Sequence, residues 1–123
     1  ALMIAVIEKK LGIPLGDQDI FLNAVGGVRA TEPASDLAVA SALLSSFMDR
    51  AVPPQTVIFG EVGLAGEVRR VSRAEARIGE AARLGFKLIV VPSSNFDPSL
   101  QSKGLSIRGI SHIGELTQIL FEG

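Results

Sequence analysis

Two stretches decide the reading of this chain: Thr31-Glu32-Pro33-Ala34-Ser35-Asp36-Leu37 and, further on, Gly60-Glu61-Val62-Gly63-Leu64-Ala65-Gly66-Glu67-Val68, which leads into Arg69-Arg70-Val71-Ser72-Arg73-Ala74-Glu75. The first is a helix start. Thr31 or Glu32 can cap it, and Pro33 falls in the first turn, where its missing N–H costs nothing. Leu37, Ala40, Leu44 and Phe47 follow at helical spacing and predict one apolar face running to about Arg50, with Pro53-Pro54 as the stop. The second stretch predicts a hairpin: a strand over 56–61, a turn at Gly63 to Gly66, and a return strand over 67–71. Ser72-Arg73-Ala74-Glu75 then has the pattern of a capping box, serine at N-cap and glutamate at N3. The helix it opens runs to Leu84 with Ala74, Ile78, Ala81 and Ala82 inward, and Gly85 closes it.

Outward from this centre, residues 2–11 read as a short helix ended by Gly12 and Pro14. Residues 19–28 read as a long strand in which Gly26-Gly27 suggests a bulge or a close backbone approach. Residues 87–91 are a buried-type strand bounded by Pro92, 93–104 a polar loop, and 105–110 a short strand. Ser111 is placed to cap a last helix with Ile113, Leu116 and Leu120 inward. The order α-β-α-β-β-α-β-β-α, with one hairpin, predicts an α+β domain with a mixed sheet and packed helices.

A chain of 123 residues with 47% hydrophobic content is the size of one domain with one real core, spanning 1–123. No apolar run approaches the roughly 18 residues of a membrane span. The apolar start, Ala1 to Ile7, has its charges (Glu8-Lys9-Lys10) after it, the reverse of a signal peptide. It begins inside a helical pattern without a methionine, which suggests an excised domain. Cysteine is absent and histidine occurs once, so neither disulfides nor a structural zinc site is expected, and cytoplasmic residence is the default. A net charge of −1 argues against a self-sufficient nucleic-acid binder. Charge is nevertheless segregated: six bases (Arg69, Arg70, Arg73, Arg77, Arg83, Lys87) face three acids (Glu67, Glu75, Glu80) between Glu67 and Lys87.

Most single residues have plain structural readings. His112 sits at a helix start and reads as a solvated or capping residue. Asp17 and Asp19 flank a turn and lack the rest of a calcium loop. The glycines of 60–66 lack both a Walker lysine and the Rossmann spacing, so the hairpin is no ATP site. Asp36 lies in a first helical turn, where negative charge suits the helix dipole. The arginines are the exception: Arg69, Arg70, Arg73 and Arg77 can form a phosphate-contacting patch or a subunit contact, against the simpler reading of a solvated helix face. The chain has no tyrosine or tryptophan on which bases could stack.

The two opening stretches resemble the proteolytic domain of the Lon family, in which a Pro-Ser-Ala-Gly turn supplies a serine nucleophile and a lysine after a Gly-Glu-Val-type hairpin activates it. The resemblance puts Ala34 at the serine position and Glu75 at the lysine position. Alanine has no hydroxyl, Asp36 replaces a glycine beside the developing oxyanion, and a carboxylate at 75 cannot act as a neutral amine would. Ser35 could act only with a base, and the four lysines (Lys9, Lys10, Lys87, Lys103) lie outside the family's lysine segment.

Longer strings (Leu15-Gly16-Asp17-Gln18-Asp19, Val25-Gly26-Gly27-Val28-Arg29, Thr31 to Ala40 and Phe59 to Arg69) resemble the C-terminal domain of one non-proteolytic branch, the RadA (Sms) family of bacterial DNA-repair proteins. That resemblance implies the ribosomal-protein-S5-domain-2-like fold. It also implies a parent with a zinc ribbon and a RecA-like ATPase core, so that zinc, ATP and magnesium are held outside this chain and no cofactor within it. The implied parent is a hexameric ring, a DNA-dependent ATPase and helicase promoting branch migration. The domain is then expected to be an inactive scaffold that helps build the ring and offers Arg69, Arg70, Arg73 and Arg77 to DNA. The alternatives are a purely structural oligomerisation domain and, remotely, a residual serine peptidase using Ser35, which a fluorophosphonate probe would label.

Overall fold

A computed structural model describes residues 33–102 and 104–122. The helix expected over 2–11, the strand over 19–28 with Gly26-Gly27, the Asp17/Asp19 turn and the Thr31 or Glu32 cap lie outside the described residues, as do Lys9, Lys10 and Lys103.

A 3-10 turn at Pro33–Ser35 leads into α1 (Asp36–Met48), followed by β1 (Thr56–Ile58), the hairpin strands β2 (Glu61–Val62) and β3 (Val68–Arg69), and α2 (Ala74–Arg83). Then come β4 (Leu88–Pro92), β5 (Ser106–Ile110) and α3 (Leu116–Phe121), with short 3-10 turns at Ser93–Asn95, Pro98–Leu100 and Ile113–Glu115. Strands β1, β4 and β5 form a parallel sheet in that order, and β2 pairs antiparallel with β3. The described residues thus combine helices with both kinds of strand pairing, as an α+β reading requires.

Strand β4 shows why the sheet is central. Its run Leu88-Ile89-Val90-Val91-Pro92 is apolar at every position, the pattern of a parallel strand covered on both faces. Ile89 and Val91 turn with Ile107 toward Ala74, Ile78 and Ala81 of α2. Val90 and Ile110 turn the other way, into the cluster built by Leu37, Ala40, Leu43 and Leu44 of α1 with Leu116, Leu120 and Phe121 of α3. Helix α2 therefore covers one face of the sheet, and α1 with α3 the other.

The C-terminal ends of the first two helices fall close to the sequence expectation, whereas their buried faces differ from it. Helix α1 stops at Asp49, before the prolines: Asp49 takes a left-handed φ of 53°, and Asp49 N–H and Arg50 N–H donate to the Ser46 and Ser45 carbonyls. Gly85 closes α2 in the same way, with φ +89° and bonds from Gly85 N to Ala82 O and Phe86 N to Ala81 O. Phe47, expected inward, is 43% exposed, whereas Leu43 is fully buried, because the buried stripe of α1 runs through Leu37, Ala40, Leu43 and Leu44. The buried Ser41 hydroxyl is satisfied by the Leu37 carbonyl at 2.8 Å. On α2, Ala82 is exposed rather than inward.

The Ser72–Glu75 capping box does not form. The chain enters α2 through Arg73 at φ 59°, so Arg73 becomes the N-cap, without a side-chain cap bond. A capping box forms instead at His112–Glu115, where His112 Nδ1 accepts from Gly114 N at 2.9 Å and Glu115 Oε2 accepts from His112 N at 2.9 Å. His112 is thus a capping residue, one place beyond the expected Ser111.

Candidate functional site

The two opening stretches are joined by hydrogen bonds. Gly60 N–H donates to the Ala34 carbonyl at 2.9 Å, and Leu37 N–H donates to the Gly60 carbonyl at 3.0 Å. Val62 N–H donates to Asp36 Oδ2 at 3.0 Å. The start of α1 is therefore fastened to the chain running from β1 into β2. Gly60 is the pivot: a Cβ there would meet Leu37 Cδ2 and Val68 Cγ1 at 3.2 Å and Pro92 Cγ at 3.3 Å. Ala34 is buried in the turn, while Glu75 lies exposed in the first turn of α2.

Burial pushes the Asp36 carboxyl above its usual value, the Val62 amide pulls the other way, and Glu61 adds a smaller upward push. A raised folded value means that the folded state holds a proton the unfolded chain has already lost. Stability attributable to Asp36 then falls as pH rises past its ordinary value of 3.8. Asp36→Asn keeps an acceptor for Val62 and removes the charge. It should be at least as stable as the parent at neutral pH, with its advantage disappearing below about pH 4. Asp36→Ala leaves the Val62 amide unpaired and should cost about 1 kcal/mol at any pH. Urea melts of the three proteins across pH decide this.

No nucleophile–base pair forms in the described residues at these positions. Ser35 makes no side-chain cap bond. Lys87 precedes β4, its N–H donating to Gln55 O, whereas the Ala34–Gly60 junction meets the far end of that strand at Pro92. The five residues of β4 separate the two ends by roughly 16 Å. The hairpin loop is not a phosphate cradle either. Gly63 N–H is taken by Glu67 O (2.9 Å), Gly66 N–H by Gly63 O (3.0 Å) and Ala65 N–H by Glu67 Oε1 (3.0 Å).

The four candidate arginines separate into two pairs. Arg69 is engaged: its Nε and Nη2 donate to Glu67 Oε2 at 3.0 and 2.8 Å. Arg69 in turn holds the Glu67 carboxyl below the usual carboxylate range. Arg77 is also engaged, donating to Ser72 O at 3.2 Å and lying 5.8 Å from the Phe59 ring centroid. Arg83 pairs with Glu80 through both nitrogens of its fork. Arg70 and Arg73 are exposed and make no ion pair among the described residues.

Arg70 and Arg73 line one open groove of about 780 Å³ with Ser72, Ser94 and Asn95, and with Glu75 and Asp97 on its walls. The groove is held open by Asn95, whose side chain pairs with both backbone groups of Val71, accepting from N–H at 2.8 Å and donating to the carbonyl at 3.2 Å. It lies where β4 runs out into the Ser93–Asn95 turn, at the carboxyl end of the parallel strands, where open α/β sheets place their ligand crevices. Sequence spacing missed Asn95, because its role depends on a contact across 24 residues.

One family model and three curated relatives match the chain. The model of a family described as subunit ChlI of Mg-chelatase matches residues 3–95. The chain is 46% identical over 115 residues to the DNA repair protein RadA of Bacillus subtilis, an alignment covering 94% of this chain and 25% of that protein. It is 42% identical over 119 residues to the DNA repair protein RadA of Escherichia coli (97% and 26%) and 46% identical over 121 residues to that of Aquifex aeolicus (98% and 27%). The chain spans about a quarter of the length of these curated relatives.

Proposed function

The chain belongs to the family that the ChlI model describes and is a RadA-type member of it; from that premise we propose that it is a non-proteolytic Lon-like domain of a DNA-repair protein, serving assembly and DNA contact. In the whole protein, the zinc, ATP and magnesium of a hexameric DNA-dependent ATPase and helicase would be held by other parts. In the hairpin loop of this domain the Gly63 and Ala65 amides already donate to Glu67, and the Gly66 amide to Gly63 O. Ala34 fills the serine position with a methyl group inside a hydrogen-bonded junction, and Glu75 fills the lysine position with a solvated carboxylate. Both features support a scaffold without proteolytic chemistry.

The observation that carries the DNA half of the proposal is the pair Arg70 and Arg73, two guanidinium groups along one groove that make no ion pair among the described residues. Arg73 also occupies a left-handed backbone conformation, φ 59°, which costs a non-glycine residue stability and clusters at working sites. Of the four arginines read from the sequence, these two are the phosphate contacts, while Arg69 and Arg77 shape the hairpin and the α2 entry.

The test is DNA affinity against salt for a full-length RadA-type protein carrying this domain. Arg70→Ala/Arg73→Ala should weaken binding and lower the slope of log affinity against log salt by about 2, near one unit per lost phosphate contact. Arg69→Ala/Arg77→Ala should leave the slope within a few tenths of the parent. Equal slopes for all three proteins would remove DNA contact and leave assembly alone.

A further inference from the structure

Residues 70–73 carry both arginines of the open groove, yet they belong neither to β3, which ends at Arg69, nor to α2, which begins at Ala74. Neither a strand ladder nor a helix interior fixes their backbone, and side chains do the holding instead. Asn95 accepts from Val71 N–H at 2.8 Å and donates to the Val71 carbonyl at 3.2 Å. Arg77 Nε donates to the Ser72 carbonyl at 3.2 Å.

The backbone so held is a strained one. Arg73 sits at φ 59° and ψ 32°, a conformation that a non-glycine residue keeps only where its surroundings over-determine it. Asn95 and Val71 are both half-buried, so their pairing is sheltered from competing water. Asn95 is itself fixed by its turn, Ser93–Asn95, which packs on β5 at Gly109. A Cβ at Gly109 would come within 3.0 Å of Phe96 Cβ and 3.2 Å of Ser93 Cα, so the glycine is what lets the turn approach. A connected path thus runs from Gly109 through the turn and Asn95 to Val71, with Arg70 just before it and Arg73 just after.

Two guanidinium groups act together on neighbouring phosphates only while the backbone between them keeps one shape. In a loose segment each contact would carry the cost of ordering it. We propose that Asn95 is a positioning residue for DNA contact. Its amide, given to Val71 through both oxygen and nitrogen, keeps Arg73 left-handed and keeps Arg70 and Arg73 along one groove. The inference rests on the DNA reading of that groove and extends it to an uncharged residue from another part of the chain.

The test is a double-mutant cycle on the full-length RadA-type protein, with DNA affinity measured against salt. Asn95→Ala leaves the charge of the protein unchanged, so it can alter the salt slope only through charged groups that Asn95 positions. It should weaken binding roughly fivefold near physiological salt and lower the slope of log affinity against log salt by about 1. In the Arg70→Ala/Arg73→Ala background the same substitution should change affinity by less than about twofold, because nothing remains for it to position. Equal losses in the two backgrounds would mark a merely structural role and overturn the inference, as would a parental affinity and slope for Asn95→Ala.

Where Asn95→Ala fails to fold, Gly109→Ala reaches the same path from β5 without removing a polar group. Its methyl must push Ser93 and Phe96 back by a few tenths of an ångström. It should weaken binding in the parent and not in the Arg70→Ala/Arg73→Ala background, and a parental affinity for it would then overturn the inference. The two readings fail separately. A parental slope for Arg70→Ala/Arg73→Ala removes the DNA reading and this inference with it. A lowered slope there, with a parental slope for Asn95→Ala, removes this inference alone.

Discussion

Gly60→Ala is expected to lower stability by about 2–4 kcal/mol, combining overpacking with a strained backbone. Three side chains from three elements close on the position that a Cβ would take: Leu37 Cδ2 and Val68 Cγ1 at 3.2 Å and Pro92 Cγ at 3.3 Å. Each contact alone could be relieved by a shift of a few tenths of an ångström, but the backbone is not free to supply it. Gly60 N–H is held by Ala34 O and Gly60 O by Leu37 N–H, so a movement away from Val68 breaks the junction with α1. The φ of +158° adds a conformation that side-chain-bearing residues rarely adopt. A urea melt should show a lower midpoint with an unchanged slope, since the surface exposed on unfolding is the same. A midpoint within experimental error of the parent's would show that Gly60 is not the pivot of the site.

Leu37→Ala is the complementary deletion and should cost about 3 kcal/mol or more. The side chain is fully buried in the cluster shared by α1, α3 and the sheet, so its removal loses transfer energy and leaves a cavity. Its value lies in the pair. With Leu37 truncated, one of the three groups pressing on position 60 is gone. The double variant Gly60→Ala/Leu37→Ala should then be more stable than the sum of the single losses implies, by about 1 kcal/mol. Strict additivity would mean that the two residues do not press on one another, and the account of the junction would need a different cause.

How much of this was legible in the sequence depended on whether a signal was local. The strand β4 was, because five consecutive apolar positions leave little else for that stretch to be. The hairpin was, because its glycines mark the turn, although its regular pairing is shorter than expected, two residues on each side.

Local patterns also misled. The end of α1 near Arg50 was legible, but the residue that closes the helix is a left-handed Asp49 and not the later Pro53-Pro54. Ser72 and Glu75 matched a capping box by spacing, but the chain turns left-handed at Arg73, which becomes the N-cap without a side-chain cap bond. The box that does form uses an imidazole nitrogen, which the serine-or-threonine pattern does not contain.

The site followed the same division. Asp36 was read as a dipole-complementing acid, and its bond to Val62, 26 residues away, needs the tertiary fold. The four arginines were visible as a cluster, but which two are engaged by Glu67, Ser72 and Phe59 was not. The groove beside them depends on Asn95 bonding both backbone groups of Val71, a pairing that leaves no spacing signature.

The assignment of the open groove to DNA is tested most directly by arginine-selective modification. Phenylglyoxal labelling of the protein with and without DNA, read residue by residue by mass spectrometry, compares all four arginines in one sample. DNA should slow the labelling of Arg70 and Arg73 severalfold and leave the labelling of Arg69 and Arg77 unchanged. Protection of Arg69 and Arg77 with Arg70 and Arg73 still reactive, or no protection at any of the four, would contradict it.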